Sequence, residues 1–188
     1  MKKKKFELIT ESKINICGKE LFRIKALISF GNVKEGDTGG WVEKEENLSH
    51  SGNAWVCGNA WVYGNARVYG DAWVYGDARV YGDAWVYGNA RVYGDARVRD
   101  NAWVCGNARV YGDADYATIH GFGTQFRTTT FFRCKDKQVR VCCGCFFGTI
   151  PKFREQVKKT REGKIAEEYL MIADLMEKHF TEERESGE

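Results

Sequence analysis

Proline is almost absent from this sequence. Pro151 is the single example in 188 residues, against twenty-one glycines. That imbalance points to regular structure with regularly spaced turns. Apolar runs of spanning length are also missing. The uncharged stretch Val141–Pro151 is far too short to cross a bilayer. The basic start runs into Phe6-Glu7-Leu8-Ile9-Thr10-Glu11 without an apolar core, which predicts no signal peptide. Charge of one sign is nowhere concentrated. The net +3 divides into +2 before Gly52, −1 from Gly52 to Asp115 and +2 beyond. A duplex-DNA binder would carry a basic face, so duplex DNA is not an expected partner. The Lys2–Lys5 run reads as a solvated tail. Seven cysteines, an odd number without paired spacings, suit a reducing cytosol better than a disulfide framework. The expectation is a cytoplasmic protein that makes no use of a membrane.

What the sequence does have is a repeat. Valine recurs at every sixth residue from Val56 to Val110, with alanine two places earlier from Ala54 to Ala108. The unit reads Gly-Asn/Asp-Ala-Trp/Arg-Val-Tyr/Cys, and its glycine column is broken at Asp100. Side chains alternate across a short strand, so Ala and Val share one face while Asn/Asp, Trp/Arg and Tyr/Cys share the other. Small and β-branched residues fill a narrow tube, and Gly-Asn or Gly-Asp tolerates a corner with positive φ. Three sides make an eighteen-residue coil, each about 4.8 Å above the last. The fold expected is mainly β: a left-handed parallel β-helix of hexapeptide repeats. An antiparallel meander would need ten consecutive four-residue strands, shorter than usual. It would also gather Trp, Tyr and Arg on one face. Left-handed crossovers break the usual handedness rule, and six-residue repeats with this inner pattern are the known exception.

Open coil ends are unpaired edges and need caps. At the N-terminal end, Ile14-Asn15-Ile16 and Leu21–Ile24 flank Cys17-Gly18-Lys19 as a β-hairpin. Trp41-Val42 and Asn47-Leu48 read as early, degenerate rungs, set off by a two-residue insertion around His50. After Asp115 the repeat decays. Strands are expected at Arg127–Arg133 and Gln138–Cys142, then a helix capped by Thr149, then a helix over Lys164–Phe180. The second helix carries the stripe Ile165, Tyr169, Ile172, Met176 and Phe180, read as core. The organisation expected is a cap over 1–40, the β-helix over 41–124 and a small α+β module of two strands and two helices over 125–188.

The coil length also sets which outward residues stack. One side carries Trp55, Trp73, Arg91 and Arg109; the second Trp61, Arg79, Arg97 and Asp115; the third Arg67, Trp85 and Trp103. Tyr75, Tyr93 and Tyr111 form a neighbouring ladder. Asp77, Asp95 and Asp113 also stack, with Arg79 and Arg97 placed to offset their repulsion. Such ladders stabilise rungs by themselves. Outward indoles beside guanidiniums also suit a ligand with a flat base and phosphates. The ten Trp and Arg positions are therefore the candidate binding residues, for a small nucleotide or a partner protein. Mixed charge fits a nucleotide better than a long polyanion.

Catalysis has little support. The regular units hold no histidine; His50 and His120 lie just outside them and His179 on the terminal helix. Cys134, Cys142, Cys143 and Cys145 lack the Cys-x-x-Cys spacing of structural zinc. No phosphate loop, dinucleotide fingerprint or Ser/His/Asp arrangement is present, so no cofactor and no metal are expected.

The stretch Phe22–Leu27, Phe30-Gly31-Asn32-Val33-Lys34, Gly36-Asp37, Gly39-Gly40-Trp41-Val42 and Glu46–Ser49, leading into the array, resembles the YdcK-like hexapeptide-repeat proteins of bacteriophages and prophages. The resemblance covers about Leu21 to Asp113. Gly121-Phe122-Gly123, Thr128–Phe132 and Gly144–Gly148 look like a module of some phage members. Members are variously assigned as transferases or polymer-forming proteins, and no agreed catalytic residues transfer. The resemblance implies the β-helix and a phage setting, hence the host bacterial cytoplasm. The function expected is a non-catalytic module for immune evasion, capturing a nucleotide signal or a host defence protein. A homo-oligomer is expected, with a trimer favoured. A trimeric structural part and a hexapeptide acyltransferase are the alternatives.

Overall fold

A computed structural model describes residues 4–15 and 17–181. Two compact units divide the chain, Met1–Asp115 and Tyr116–Glu188. The first unit is a β-solenoid with a β cap. Ten two-residue strands, β4 to β13, lie at Trp55–Val56, Trp61–Val62, Arg67–Val68, Trp73–Val74, Arg79–Val80, Trp85–Val86, Arg91–Val92, Arg97–Val98, Trp103–Val104 and Arg109–Val110. Every pairing among them is parallel, and each joins residues eighteen apart: Trp55 to Trp73 to Arg91 to Arg109, Trp61 to Arg79 to Arg97, and Arg67 to Trp85 to Trp103. Three parallel sheets therefore wrap one interior, and the antiparallel meander is excluded.

The interior is the Ala/Val column. Ala54 through Ala108 and Val56 through Val110 are essentially fully buried at every sixth residue. Corners are set by glycine with φ between 60° and 72° from Gly52 to Gly106, and Asp100 adopts φ 58° in the same role. Successive corners touch. A Cβ on Gly70 would stand 3.1 Å from the Gly88 nitrogen, and one on Gly82 would stand 2.9 Å from the Asp100 nitrogen. Glycine is thus required both for its φ and for the vertical spacing.

The rung hydrogen bonds that involve residues flanking the two-residue strands run one way: each N–H donates to a carbonyl one coil nearer the C-terminus, as in Trp55 N to Ala72 O at 3.0 Å and Arg91 N to Ala108 O at 2.9 Å. At these positions the N-terminal end of the tube presents carbonyls and the C-terminal end presents amides. The caps match this polarity. At the carbonyl end the Lys5 ammonium donates to Ala54 O at 2.8 Å, the Asn47 amide to Ala66 O at 2.8 Å and Gly64 O at 3.1 Å, and Trp41 N to Ala60 O at 2.9 Å. At the amide end carboxylates accept: Asp113 from Arg97 N at 2.8 Å, and Asp115 from Tyr111 N at 2.9 Å and Gly112 N at 3.1 Å.

Two expectations are corrected here. Lys5 is not a solvated tail residue but a buried plug, 1% exposed; Lys2 and Lys3 lie outside the described residues. Asp115 does not extend the Arg97 ladder. It closes a short turn, Asp113–Asp115, and is buried because the last amides need an acceptor.

The cap itself consists of β1 (Phe6–Ile14) and β2 (Glu20–Ala26), an antiparallel hairpin, followed by β3 (Thr38–Val42). Ile16 lies outside the described residues. Strand β3 pairs antiparallel with β2 and parallel with β5, so one six-stranded sheet passes from cap into solenoid. The early rungs read from sequence are present. Trp41 pairs with Trp61 and Leu48 with Val68, each twenty residues apart instead of eighteen, which is the two-residue insertion.

The second unit is an antiparallel sheet of four strands, β14 (Tyr116–Phe122), β15 (Arg127–Arg133), β16 (Val139–Cys143) and β17 (Phe146–Thr149), packed on α1 (Ile150–Thr160) and α2 (Gly163–Thr181). The expected strands are β15 and β16. The two outer strands were not foreseen, and β14 moves the start of this unit from 125 to 116. Thr149 caps α1 by accepting from Lys152 N at 3.4 Å. The α2 stripe is core: Tyr169, Ile172, Met176 and Phe180 pack with Phe131, Val141 and Phe153.

Candidate ligand-binding cleft

The three outer faces differ in what their side chains are free to do. On the first, Trp55 is buried at 2%, meeting Phe30 edge-on at 5.4 Å between ring centroids. Its ring also comes within 2.7 Å of where a Cβ on Gly39 would stand. The cap has claimed this indole, so Trp55 is corrected from a ligand-facing residue to part of the cap interface. Lower on the face, the Arg91 guanidinium donates to Asp71 O at 2.7 Å and lies 5.6 Å from the Trp73 ring. Arg109 donates to Ala108 O at 2.8 Å and Asn89 O at 3.1 Å. Burial, and next the neighbouring Arg109, pull the Arg91 pKa down from its ordinary value. These guanidiniums are committed to backbone carbonyls.

The second face is covered by cations. The Lys13 ammonium stands 4.0 Å from the Trp41 ring and 4.4 Å from the Trp61 ring, and Arg79 lies 4.6 Å from Trp61. Arg97 is exposed further along. Tyr63 and Tyr81 stack at 5.0 Å. Every contact here is internal to the unit.

The third face opens into a cavity of useful size. Trp85 stacks on Trp103 at 5.5 Å, Tyr69 stacks on Tyr87 at 4.9 Å, and the Tyr69 ring meets Trp85 edge-on at 5.8 Å. Arg67 is exposed, with its guanidinium 5.9 Å from the Trp85 ring. The inserted segment around Glu45–His50 stands over this face and encloses a cleft of about 550 Å³ with Arg67, Tyr69 and Trp85. A second hollow of about 360 Å³ shares Glu46, Arg67 and Trp85 and adds Lys44, Asn65 and Asp83. The cleft thus has an aromatic wall, a guanidinium at its rim and carboxylates on the facing segment. Glu45 is occupied, accepting from Lys4 at 2.9 Å and His50 at 2.7 Å. Those two hydrogen bonds hold its carboxyl below the usual range.

His50 is pinned on both ring nitrogens. Nδ1 accepts from Lys5 N at 3.1 Å, so Nε2 carries the proton it shares with Glu45, and the ring stacks on Phe6 at 4.3 Å. A histidine held this way has no lone pair to offer a substrate. His120 is exposed beside the Thr128 hydroxyl at 3.1 Å, and His179 packs against Phe180. Of the four cysteines weighed for zinc, Cys134 and Cys142 are buried, Cys143 is half-buried and Cys145 exposed.

The ten residues read from sequence therefore separate. Arg67 and Trp85 come together at the cleft, with Trp103 stacked on Trp85 along the same face; Trp73, Arg91 and Arg109 form a self-satisfied ladder; Trp61, Arg79 and Arg97 lie on the cation-covered face; Trp55 is buried. Sequence reasoning missed Glu45, Glu46, His50 and Tyr69 as lining. Their signal was the two-residue slip in the repeat, since an insertion in a regular coil must bulge over one face.

Fold and cleft together define a β-solenoid repeat protein with an aromatic-walled cleft on one face. The array matches the YdcK beta solenoid repeat over residues 60–76, 72–88, 84–100 and 90–106. No curated protein matches the chain. Among the described residues, no helix is long and apolar enough to cross a membrane.

Proposed function

We propose that this protein is a non-catalytic binding module that captures a small nucleotide in the cleft between the 45–50 segment and the third solenoid face. The base lies on Trp85 and Tyr69, and Arg67 takes the phosphate. The observation that carries this reading is the Arg67 guanidinium. It makes no hydrogen bond or ion pair among the described residues, yet it sits at the mouth of a ring-lined cavity. Anions and flat π-systems are what a guanidinium beside an indole attracts. Pinning of His50 favours binding over acyl transfer. The left-handed, hexapeptide-repeat winding, a phage or prophage origin, action in the host bacterial cytoplasm and a trimeric state belong to the same reading. In it, removal of a nucleotide signal serves immune evasion.

Titration calorimetry and native mass spectrometry of the full chain with purine mononucleotides and cyclic dinucleotides test it. Base–aromatic stacking is worth about 1–3 kcal/mol, so Trp85→Ala should weaken binding by roughly 5- to 150-fold. Arg67→Gln should do likewise, while Trp73→Ala and Arg91→Gln leave affinity unchanged. Absence of nucleotide binding, or loss through Trp73 instead of Trp85, refutes the assignment. A host protein bound in place of a nucleotide would select the partner-capture alternative.

A further inference from the structure

A further cavity, within the C-terminal unit, is chemically unlike the solenoid cleft. It measures about 120 Å³ and is reached by Arg127 from β15 and Arg161 from the end of α1. Its remaining polar lining is uncharged, with Gln125, Gln156, Thr124 and Thr160, and no carboxylate among the described residues faces it. Arg127 makes no hydrogen bond or ion pair among the described residues. The Arg161 contact is to the neighbouring Thr160 carbonyl at 3.0 Å. Two guanidiniums without a counter-charge repel each other, which a bound anion would relieve.

The surrounding backbone makes room for these side chains. Gly144 turns β16 into β17 with φ 60°, and a Cβ there would stand 2.6 Å from Arg127 Nη1. Gly123 follows β14 with φ 72°, and a Cβ there would stand 2.4 Å from the Tyr169 hydroxyl. That hydroxyl donates to Phe122 O at 3.2 Å. Burial and Cys143 push its pKa up, while Arg161 and Arg127 pull against them. Phe146 and Phe153, 5.4 Å apart, line the apolar side.

We infer that Arg127 and Arg161 form a binding site for a small tetrahedral oxyanion, phosphate or sulfate, either free or as the terminus of an ester. This site is independent of the solenoid cleft. The test is calorimetric titration of the full chain with inorganic phosphate and with phenyl phosphate at constant ionic strength. Saturable binding is expected. Arg127→Gln and Arg161→Gln should each weaken it about tenfold or more, as expected for a charge-assisted bond. Arg99→Gln, in the solenoid, should leave it unchanged. Tighter binding of phenyl phosphate assigns an ester lying along Phe146 and Phe153; equal binding assigns the free anion.

Cys145, exposed at this cavity, gives a second readout. Its alkylation by iodoacetate should be slowed by phosphate. The rate ratio of iodoacetate to iodoacetamide should fall in Arg127→Gln. Absence of saturable binding overturns the site, as does an equal loss in Arg99→Gln or an alkylation ratio indifferent to Arg127.

Discussion

Lys5 places a titratable ammonium at the carbonyl end of a hydrophobic tube, and the consequence can be worked out. Burial lowers its pKa from 10.5 to about 8, with Asp71 pulling partly back. Because the folded value is depressed, the folded chain holds fewer protons than the unfolded chain between about pH 8 and 10.5. Stability from this group therefore rises with pH across that window. A shift of about 2.5 units corresponds to roughly 3 kcal/mol, the cost at neutral pH of keeping the ammonium charged indoors. Working the two titrations from pH 7 to 9.5 recovers about 2 kcal/mol of it. Tyr63, Tyr75 and Cys57 are pushed up chiefly by burial and act in the opposite direction at alkaline pH. The comparison must therefore be with Lys5→Met, which retains those groups. Urea denaturation followed by tryptophan fluorescence at pH 7 and 9.5 should show the native protein gaining about 2 kcal/mol on the variant. A difference constant within about 0.5 kcal/mol would mean that Lys5 is solvated and that the capping argument is wrong.

Other tests address the corners and the outer columns. Asp100 holds φ 58° where every neighbouring corner is glycine, so Asp100→Gly should raise stability by about 0.5–1 kcal/mol in denaturant titrations. Gly82→Ala should cost about 2 kcal/mol or more, because it combines positive φ with a Cβ 2.9 Å from the Asp100 nitrogen. Asn59 donates its amide to Asp77 at 3.2 Å, above Asp95 and Asp113. Asn59→Asp should destabilise by about 0.5–1 kcal/mol at low salt, and the loss should shrink as salt is added.

How much of this was legible in the sequence depended on distance along the chain. The Ala and Val columns, the eighteen-residue register and the slip near His50 are all local periodicities, and each reappears in the pairing of Val56 with Val74 and Leu48 with Val68. Strand β14 was not legible, because Tyr-Ala-Thr-Ile-His-Gly-Phe mixes polar and apolar residues without clean alternation. The short β17 gives too few residues for a period. At the candidate cleft, Arg67 and Trp85 could be placed on one face from spacing alone. That Trp73 and Arg91 belong to a closed ladder could not, since it depends on a guanidinium reaching Asp71 O.

The sequence by itself determined the inward and outward assignment of every hexad and the vertical register of its ladders, because a strict period leaves the chain one way to bury alanine and valine. Tertiary structure alone decided which outer face stays available. Cap segments far away in sequence bury Trp55 with Phe30 and plug the first coil with Lys5, while the inserted segment arches over Arg67 and Trp85. The backbone groups left open beside the end strands explain the caps: the Ala54 and Ala66 carbonyls at one end must recruit donors and the Arg97 and Tyr111 amides at the other must recruit carboxylates, wherever in the chain they lie.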